Sequence, residues 1–263
     1  MKQNSTKTIT LLSGMILLLI ASTTNVQAQH SDDDDGPKNI VKWNVPALIL
    51  KNYSFQYERS LNRKISFAVG FRFSPKSKLP FSSVIEDQIE DDDELKENIK
   101  KFKTGNFAIT PEVRFYMGQG FLKGFYIAPF ARYAKYTAEV PFGFEVEDPT
   151  TNELRTETIP LDGNVTALSA GVLLGAQWII GKRVAIDWWI LGPNYGTSSG
   201  NISGNSDKPL SSEEQAALRD TLEGLEDLPI VKAKSTVDAN GAKVDFDGPW
   251  GGLRSGITVG IRF

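Results

Sequence analysis

From Ile65 to Phe73 the chain alternates strictly. Ile65, Phe67, Val69, Phe71 and Phe73 fall on one face, and Ser66, Ala68, Gly70 and Arg72 on the other. A period of two is the mark of a strand with one apolar face. The pattern recurs along the chain. It predicts strands over 40–50, 53–60, 64–73, 106–117, 124–140, 164–180, 183–191 and 253–263. In the last of these, Ile257, Val259, Ile261 and Phe263 alternate with Gly256, Thr258, Gly260 and Arg262, and the sequence closes on the aromatic residue.

The connections between these strands alternate in length. Those after the second, fourth and sixth strands span a few residues, while 74–105, 141–163 and 192–248 are long and polar. Eight strands with short turns at one end and long loops at the other describe an antiparallel up-and-down barrel of the outer-membrane kind, with periplasmic turns and extracellular loops. The all-β expectation is therefore an eight-stranded transmembrane barrel over 40–263. Even parity returns Phe263 to the periplasmic side, paired with the first strand.

Helical periodicity breaks the β pattern twice. Ser83 and Glu86 have capping-box spacing, with Ile85, Ile89, Leu95, Ile99 and Phe102 following at helical intervals. Ser211 and Glu214 repeat that spacing ahead of Leu218, Leu222 and Leu225. The long loops thus carry short amphipathic helices, which either pack together over the outer mouth through Ile85, Ile89, Leu218 and Leu222 or stay as two mobile, solvated loops. Asn240-Gly241 predicts a type I′ hairpin. Pro46, Pro111 and Pro129 fall inside predicted strands, where each should mark a bulge or a lost ladder bond.

Residues 1–28 read as a cleaved secretory signal. Lys2 and Lys7 precede the apolar run Leu11 to Ile20, and Val26-Gln27-Ala28 has a small-residue cleavage pattern. The run is too short to cross a bilayer as a helix. Cleavage moves the formal charge from −3 to −5, because both lysines leave and no acid does. Residues 29–39 form an acidic leader around Asp32 to Asp35, a run that repulsion keeps extended. Without Cys, no disulfide or lipid-anchored Cys is available.

Lys42-Trp43-Asn44 and Asn52-Tyr-Ser-Phe-Gln-Tyr-Glu-Arg59, together with Gly124-Phe-Tyr-Ile-Ala-Pro-Phe-Ala-Arg-Tyr133, resemble segments of a family of uncharacterised, OmpA/OmpX-like outer-membrane barrels. The resemblance covers the strands, about half of the chain, and implies a fold without an activity. The closing strand resembles the C-terminal strand of such barrels. Ile257, Val259, Ile261 and Phe263 then form the signal that barrel assembly machinery reads.

Parity also assigns an interior. Glu58, Arg72, Glu112, Arg114, Arg132, Asp187 and Arg262 face inward, and an eight-stranded barrel is just filled by its side chains. Three acids and four arginines in so small a space must pair. The expectation is an ion-pair network that plugs the lumen. A rearrangement of partners would make it the gate of a narrow pore for ions or small solutes. A soluble, lipocalin-like exported barrel is the third reading, and it would reverse the faces, with Ile257, Val259 and Ile261 inside. Trp43, Tyr57, Phe71, Tyr133, Trp178 and Trp188 fit an interfacial aromatic girdle.

Catalysis finds few footholds. The only His is His30, in the leader, so barrel enzymes that activate Ser with His have no counterpart here. No Cys and no His pair leaves no zinc or thiol site, and Asp238 to Gly241 and Asp245 to Gly248 fall short of a calcium loop. The sequence predicts a monomer without metal or cofactor and without nucleic-acid partners. Its partners are outer-membrane lipid, the assembly machinery, and an extracellular ligand at loops 74–105 and 192–248.

Overall fold

A computed structural model describes residues 37–82, 89, 93–147, 154–226 and 232–263. The expected signal peptide, all of the leader before Pro37, the Ser83 capping box and Ile85 lie outside these residues.

The fold is all-β. In chain order come β1 (Asn39–Trp43), β2 (Tyr53–Ser60), β3 (Ile65–Lys78), α1 (Asp93–Lys101), β4 (Lys103–Tyr116), β5 (Gly124–Glu147), β6 (Leu154–Ile180), β7 (Val184–Asn205), α2 (Ser212–Glu226), β8 (Lys232–Asp238) and β9 (Gly241–Arg262). Every pairing is antiparallel, and β1 to β7 follow sequence order, with β9 next to β7. The ring of eight closes where β1 meets β9, from Ile40↔Arg262 to Trp43↔Val259. Asn39 and Phe263 exchange backbone hydrogen bonds of 3.0 and 2.9 Å just beyond it. The ninth strand, β8, stands outside the ring and pairs only with the early part of β9.

Several boundaries differ from the sequence expectation, each for a physical reason. The first strand stops at Trp43 instead of Leu50, because Pro46 opens a 3-10 turn over Pro46–Leu50. Proline suits the first position of a helical turn, where no N–H is needed. The 141–163 loop is largely strand: β5 and β6 pair without a break from Gly124↔Gln177 to Glu147↔Leu154. Pro141 lies directly opposite Pro160, beyond the last pairings that flank them, Lys103↔Glu139 and Asp162↔Ser203. At that height β4 has ended beside Pro141, so no N–H is owed there, while β7 still runs beside Pro160 to Asn205. The 192–248 insertion likewise continues β7 to Asn205 and starts β9 at Gly241. Asp238 pairs with Gly241, so the turn residues are Ala239 and Asn240, one position earlier than Asn-Gly would give. The Asp238 carboxylate accepts the Asn240 N–H at 2.7 Å. Pro111 and Pro129 create no bulge. Pairing between β4 and β5 is sparse from Ile109↔Tyr133 to Phe115↔Ile127, where ladder pairs at both prolines are lost, but the register is the same on both sides.

These extensions have something to pack against. Phe144 and Val146 of β5, Ile159 of β6 and Val244 of β9 bury themselves with Leu210, Leu218 and Leu222. This is a second apolar core, separate from the ring interior. Among the described residues α2 packs on strands, and Ile89 is only half-buried; the other expected contact of the first loop helix, Ile85, lies outside them. The N-terminus of α2 carries the full capping box: Ser211 Oγ accepts the Glu214 N–H at 3.2 Å, and Glu214 accepts the Ser211 N–H at 2.8 Å.

The two faces of the ring are chemically opposite. Ile257, Val259 and Ile261 are 47%, 42% and 65% exposed, whereas Lys42, Glu58, Arg114 and Asp187 on the inner face are 0% exposed.

Candidate functional site

Ring closure stacks the inward side chains in layers. The lowest is apolar: Ile40, Leu122, Tyr116 and Ala185 fill the end that carries Asn39, Phe263 and the short turns. Leu122 comes from the turn between β4 and β5. Its left-handed backbone (φ 59) folds the side chain into the interior, where it is buried. Its carbonyl accepts the Gln177 Nε2–H at 2.8 Å, which ties turn to wall.

The next layer is ionic. Arg114 of β4 is its centre. Arg114 Nε donates to Glu112 at 2.6 Å, Nη1 to Asp187 at 2.8 Å and to Glu58 at 3.1 Å, and Nη2 to Gln56 at 2.8 Å. Lys42 of β1 donates to Glu58, to Asp187 at 2.7 Å and to Gln177 at 2.6 Å. Arg254 of β9 reaches the other oxygen of Glu112 and lies over the Trp189 ring at 4.1 Å. The remaining lone pairs are filled by neutral donors. Tyr116 bonds Glu58 at 2.6 Å, Ser66 bonds Glu58, Tyr126 bonds Asp187 at 2.7 Å, and the Trp189 indole bonds Asp187 at 3.0 Å. The Tyr126 ring also receives the Arg114 guanidinium on its face, at 4.4 Å.

Three carboxylates thus meet three cations with no net charge. Ionised groups persist in a dry interior only when paired and fully hydrogen-bonded, and this layer meets both conditions. One group does not: Thr258, opposite Asp187 in register, has a buried hydroxyl with no hydrogen-bond partner among the described residues.

The structure brings Glu58, Glu112, Arg114 and Asp187 of the expected set together, and places the other three elsewhere. Arg72 and Arg132 stand one level higher and are half-buried. Arg262 lies at the closing end, where its Nε donates to the Pro37 carbonyl at 2.6 Å instead of reaching an acid. β9 is paired on both sides there, so the last inward residue of the strand has already passed the ionic layer. Lys42 and Arg254 take the vacant roles. The sequence carried a signal for both. Lys42 lies between outward Val41 and Trp43, and Arg254 is two residues before inward Gly256, so strict parity would have named them.

Above the ionic layer the lumen widens into a cavity of about 390 Å³. Arg72, Arg132 and Arg254 line it together with Trp189, Tyr136 and Trp250. It opens towards the end where the strands are extended.

No curated protein matches the chain. Residues 14–195 match a family profile described as a protein of unknown function, DUF3575. The match runs through the ring from β1 into β7. It leaves out α2, β8 and β9, and with them Arg254.

Proposed function

The chain belongs to the DUF3575 family, whose function is unknown, and on that footing we propose that it is an outer-membrane barrel with a structural or surface-recognition role. The observation that carries this reading is the inverted polarity of the ring. On β4, each outward residue from Phe107 to Phe115 is apolar: Phe107, Ile109, Pro111, Val113 and Phe115. Nine residues match the roughly 9–11 that a tilted strand needs to cross a bilayer. Val41, Phe55, Phe71, Val172 and Trp188 continue the apolar belt around the ring, all of them exposed. A monomer in water rarely exposes apolar area on this scale, whereas lipid favours it.

Lys135, the next outward residue above Tyr133, marks the upper edge of the belt, and Lys182 and Arg183 mark the lower. The parts of β3, β5, β6, β7 and β9 beyond the upper edge, with α2 against them, project outside the membrane. The same polarity disfavours a soluble ligand carrier, which would keep Ile257, Val259 and Ile261 inside. The 3:3 ionic layer acts as a plug. With Leu122 beneath it, it closes the lumen to ions. The role is therefore one of presence and recognition at the surface, reached through a signal peptide and an assembly signal at Phe263.

Heat modifiability and electrical recording test this together. Folded protein should migrate faster than boiled protein in a detergent gel, partition with outer membranes on cell fractionation, and pass no current in planar bilayers. Partition with the soluble fraction would overturn the membrane reading. Steady single-channel conductance would overturn the plug and favour the narrow pore.

A further inference from the structure

The cavity above the plug has a chemistry of its own. Its lining includes three arginines and no carboxylate. Arg254 is neutralised from below by Glu112. Arg72 and Arg132 face neutral groups. With the Asn52 amide turned oxygen-inward, Asn52 accepts from Arg72 Nε at 2.7 Å and Nη2 at 3.0 Å. The Tyr136 side chain is the hydrogen-bond partner of Arg132. Two half-buried guanidinium groups are thus held in place by acceptors that do not cancel their charge. Guanidinium presents a fixed fork of donors suited to carboxylate and phosphate oxygens.

Two further features define what such an anion would be attached to. Tyr136 and Trp250 form a tilted aromatic pair in the wall, with centroids 5.0 Å apart and planes at 31°. Asn194, also in the lining, has a buried side-chain oxygen without a hydrogen-bond partner among the described residues. A ligand that satisfied all three features would carry an anionic group, a flat body and a hydroxyl or N–H donor. A volume of about 390 Å³ is enough for one small organic molecule.

We propose that the cavity is a binding site for a small, soluble, planar organic anion. Arg72 and Arg132 clamp its carboxylate or phosphate, Tyr136 and Trp250 hold its flat face, and Asn194 accepts a hydrogen bond from it. This names a ligand class for the recognition role above. It rests on that reading only for which side of the membrane supplies the ligand.

The test uses the full barrel folded in zwitterionic detergent, with folding verified first by heat-modifiable migration. A failure to bind is thereby separated from a failure of the barrel reading. Isothermal titration with 4-hydroxybenzoate, and with 4-hydroxybenzamide as its uncharged analogue, reads the charge requirement. Binding of the acid is expected at least tenfold tighter than of the amide. Arg72→Gln with Arg132→Gln should weaken the acid at least tenfold while leaving the amide unchanged, and the single Arg132→Gln variant serves if the double variant does not fold. Phenyl phosphate should compete with the acid. Equal binding of acid and amide, an unchanged double variant, or no heat at millimolar acid would each overturn the proposal. A response to short-chain phosphatidylglycerol but to neither soluble anion would assign the arginines to a lipid headgroup and overturn it as well.

Discussion

Arg114 Nη1 lies 2.8 Å from Asp187 Oδ2 at the centre of the lumen, and both side chains are fully buried. Their strands are not adjacent in the ring: β4 and β7 are separated by β5 and β6. The contact spans the interior and braces opposite walls, so it reports on barrel closure as well as on charge.

Removing one partner of such a pair leaves uncompensated charge in a dry place. Arg114→Met strands Glu58, Glu112 and Asp187 against Lys42 and Arg254 alone. The expected loss is about 3–5 kcal/mol of stability. The midpoint of the folded band in a urea series, read by heat-modifiable migration, measures it. A shift no larger than that of an outward conservative change such as Val172→Ile would show that the layer is not structural.

Thr258 gives the opposite sign. Its hydroxyl is buried beside the ionic layer without a partner among the described residues, and an unsatisfied hydroxyl carries a desolvation cost of about 1–3 kcal/mol. Thr258→Val keeps the shape and removes the polar atom. The variant should be at least as stable as the parent in the same urea series, and a clear loss would mean that the hydroxyl has a partner in solution.

Above the ring, Glu139 of β5 bonds Lys103 at 2.8 Å and is paired with Lys76 at 3.1 Å, and Lys76 also bonds Asp162. Hydrogen bonds from Lys103 and Lys76 hold the Glu139 carboxyl below the usual carboxylate range. Bonds to Asp162 and Glu139 push the Lys76 ammonium up. A depressed acid contributes stability that is present above its unfolded pKa and lost as pH falls through its folded pKa. A raised base contributes stability that is present below its unfolded pKa and lost as pH rises through its folded pKa. The strut is therefore intact around neutrality and opens from the acid side through Glu139. Protection factors of the amides in the β3–β4 and β4–β5 pairings near Lys103 should fall at acid pH, and Glu139→Gln should abolish that dependence. Because these groups are solvent-exposed, salt should weaken the effect.

The outer core should behave as a separate unit. Leu218 is 1% exposed, and Leu218→Ala is expected to cost about 2–5 kcal/mol there. Ser211→Ala, which removes half of the capping box, should cost about 0.5–2 kcal/mol. Both changes should speed proteolysis at α2 while leaving the urea midpoint of the ring almost unmoved. A parallel fall in both readouts would mean that the two cores unfold together.

The ring was legible because its rule is local. Phe67, Val69 and Phe71 each declare a side of the sheet two residues at a time, and eight such runs with alternating connections leave one closed topology. The long extensions were not legible. Pro141, Pro160 and the polar stretch between them read as loop, since nothing local says that two prolines can face one another across a continuous strand pair. α2 was visible through Ser211, Glu214, Leu218 and Leu222, but its partners Phe144 and Ile159 lie tens of residues away, and periodicity names no partner. Glu58, Glu112, Arg114 and Asp187 followed from parity. Arg262 did not, because parity gives the face and not the height, and a side chain one layer too low meets a backbone carbonyl instead of an acid. Lys42 is a lone cation on a five-residue strand, too short for its own alternation to declare a face.

The strands also differ greatly in height. β1 has 5 residues and β2 has 8, while β5 has 24 and β6 has 27. The rim is therefore cut obliquely. The β5–β6 side rises as a wall, and the β1–β2 side ends at the 3-10 turn of Pro46–Leu50. An approaching molecule meets a backstop on one side and a sill on the other. Access to Arg72, on the low side, is sidelong. Encounter with the mouth is accordingly directional, and the short turn at Pro46, more than the tall hairpin, sets how wide the door stands.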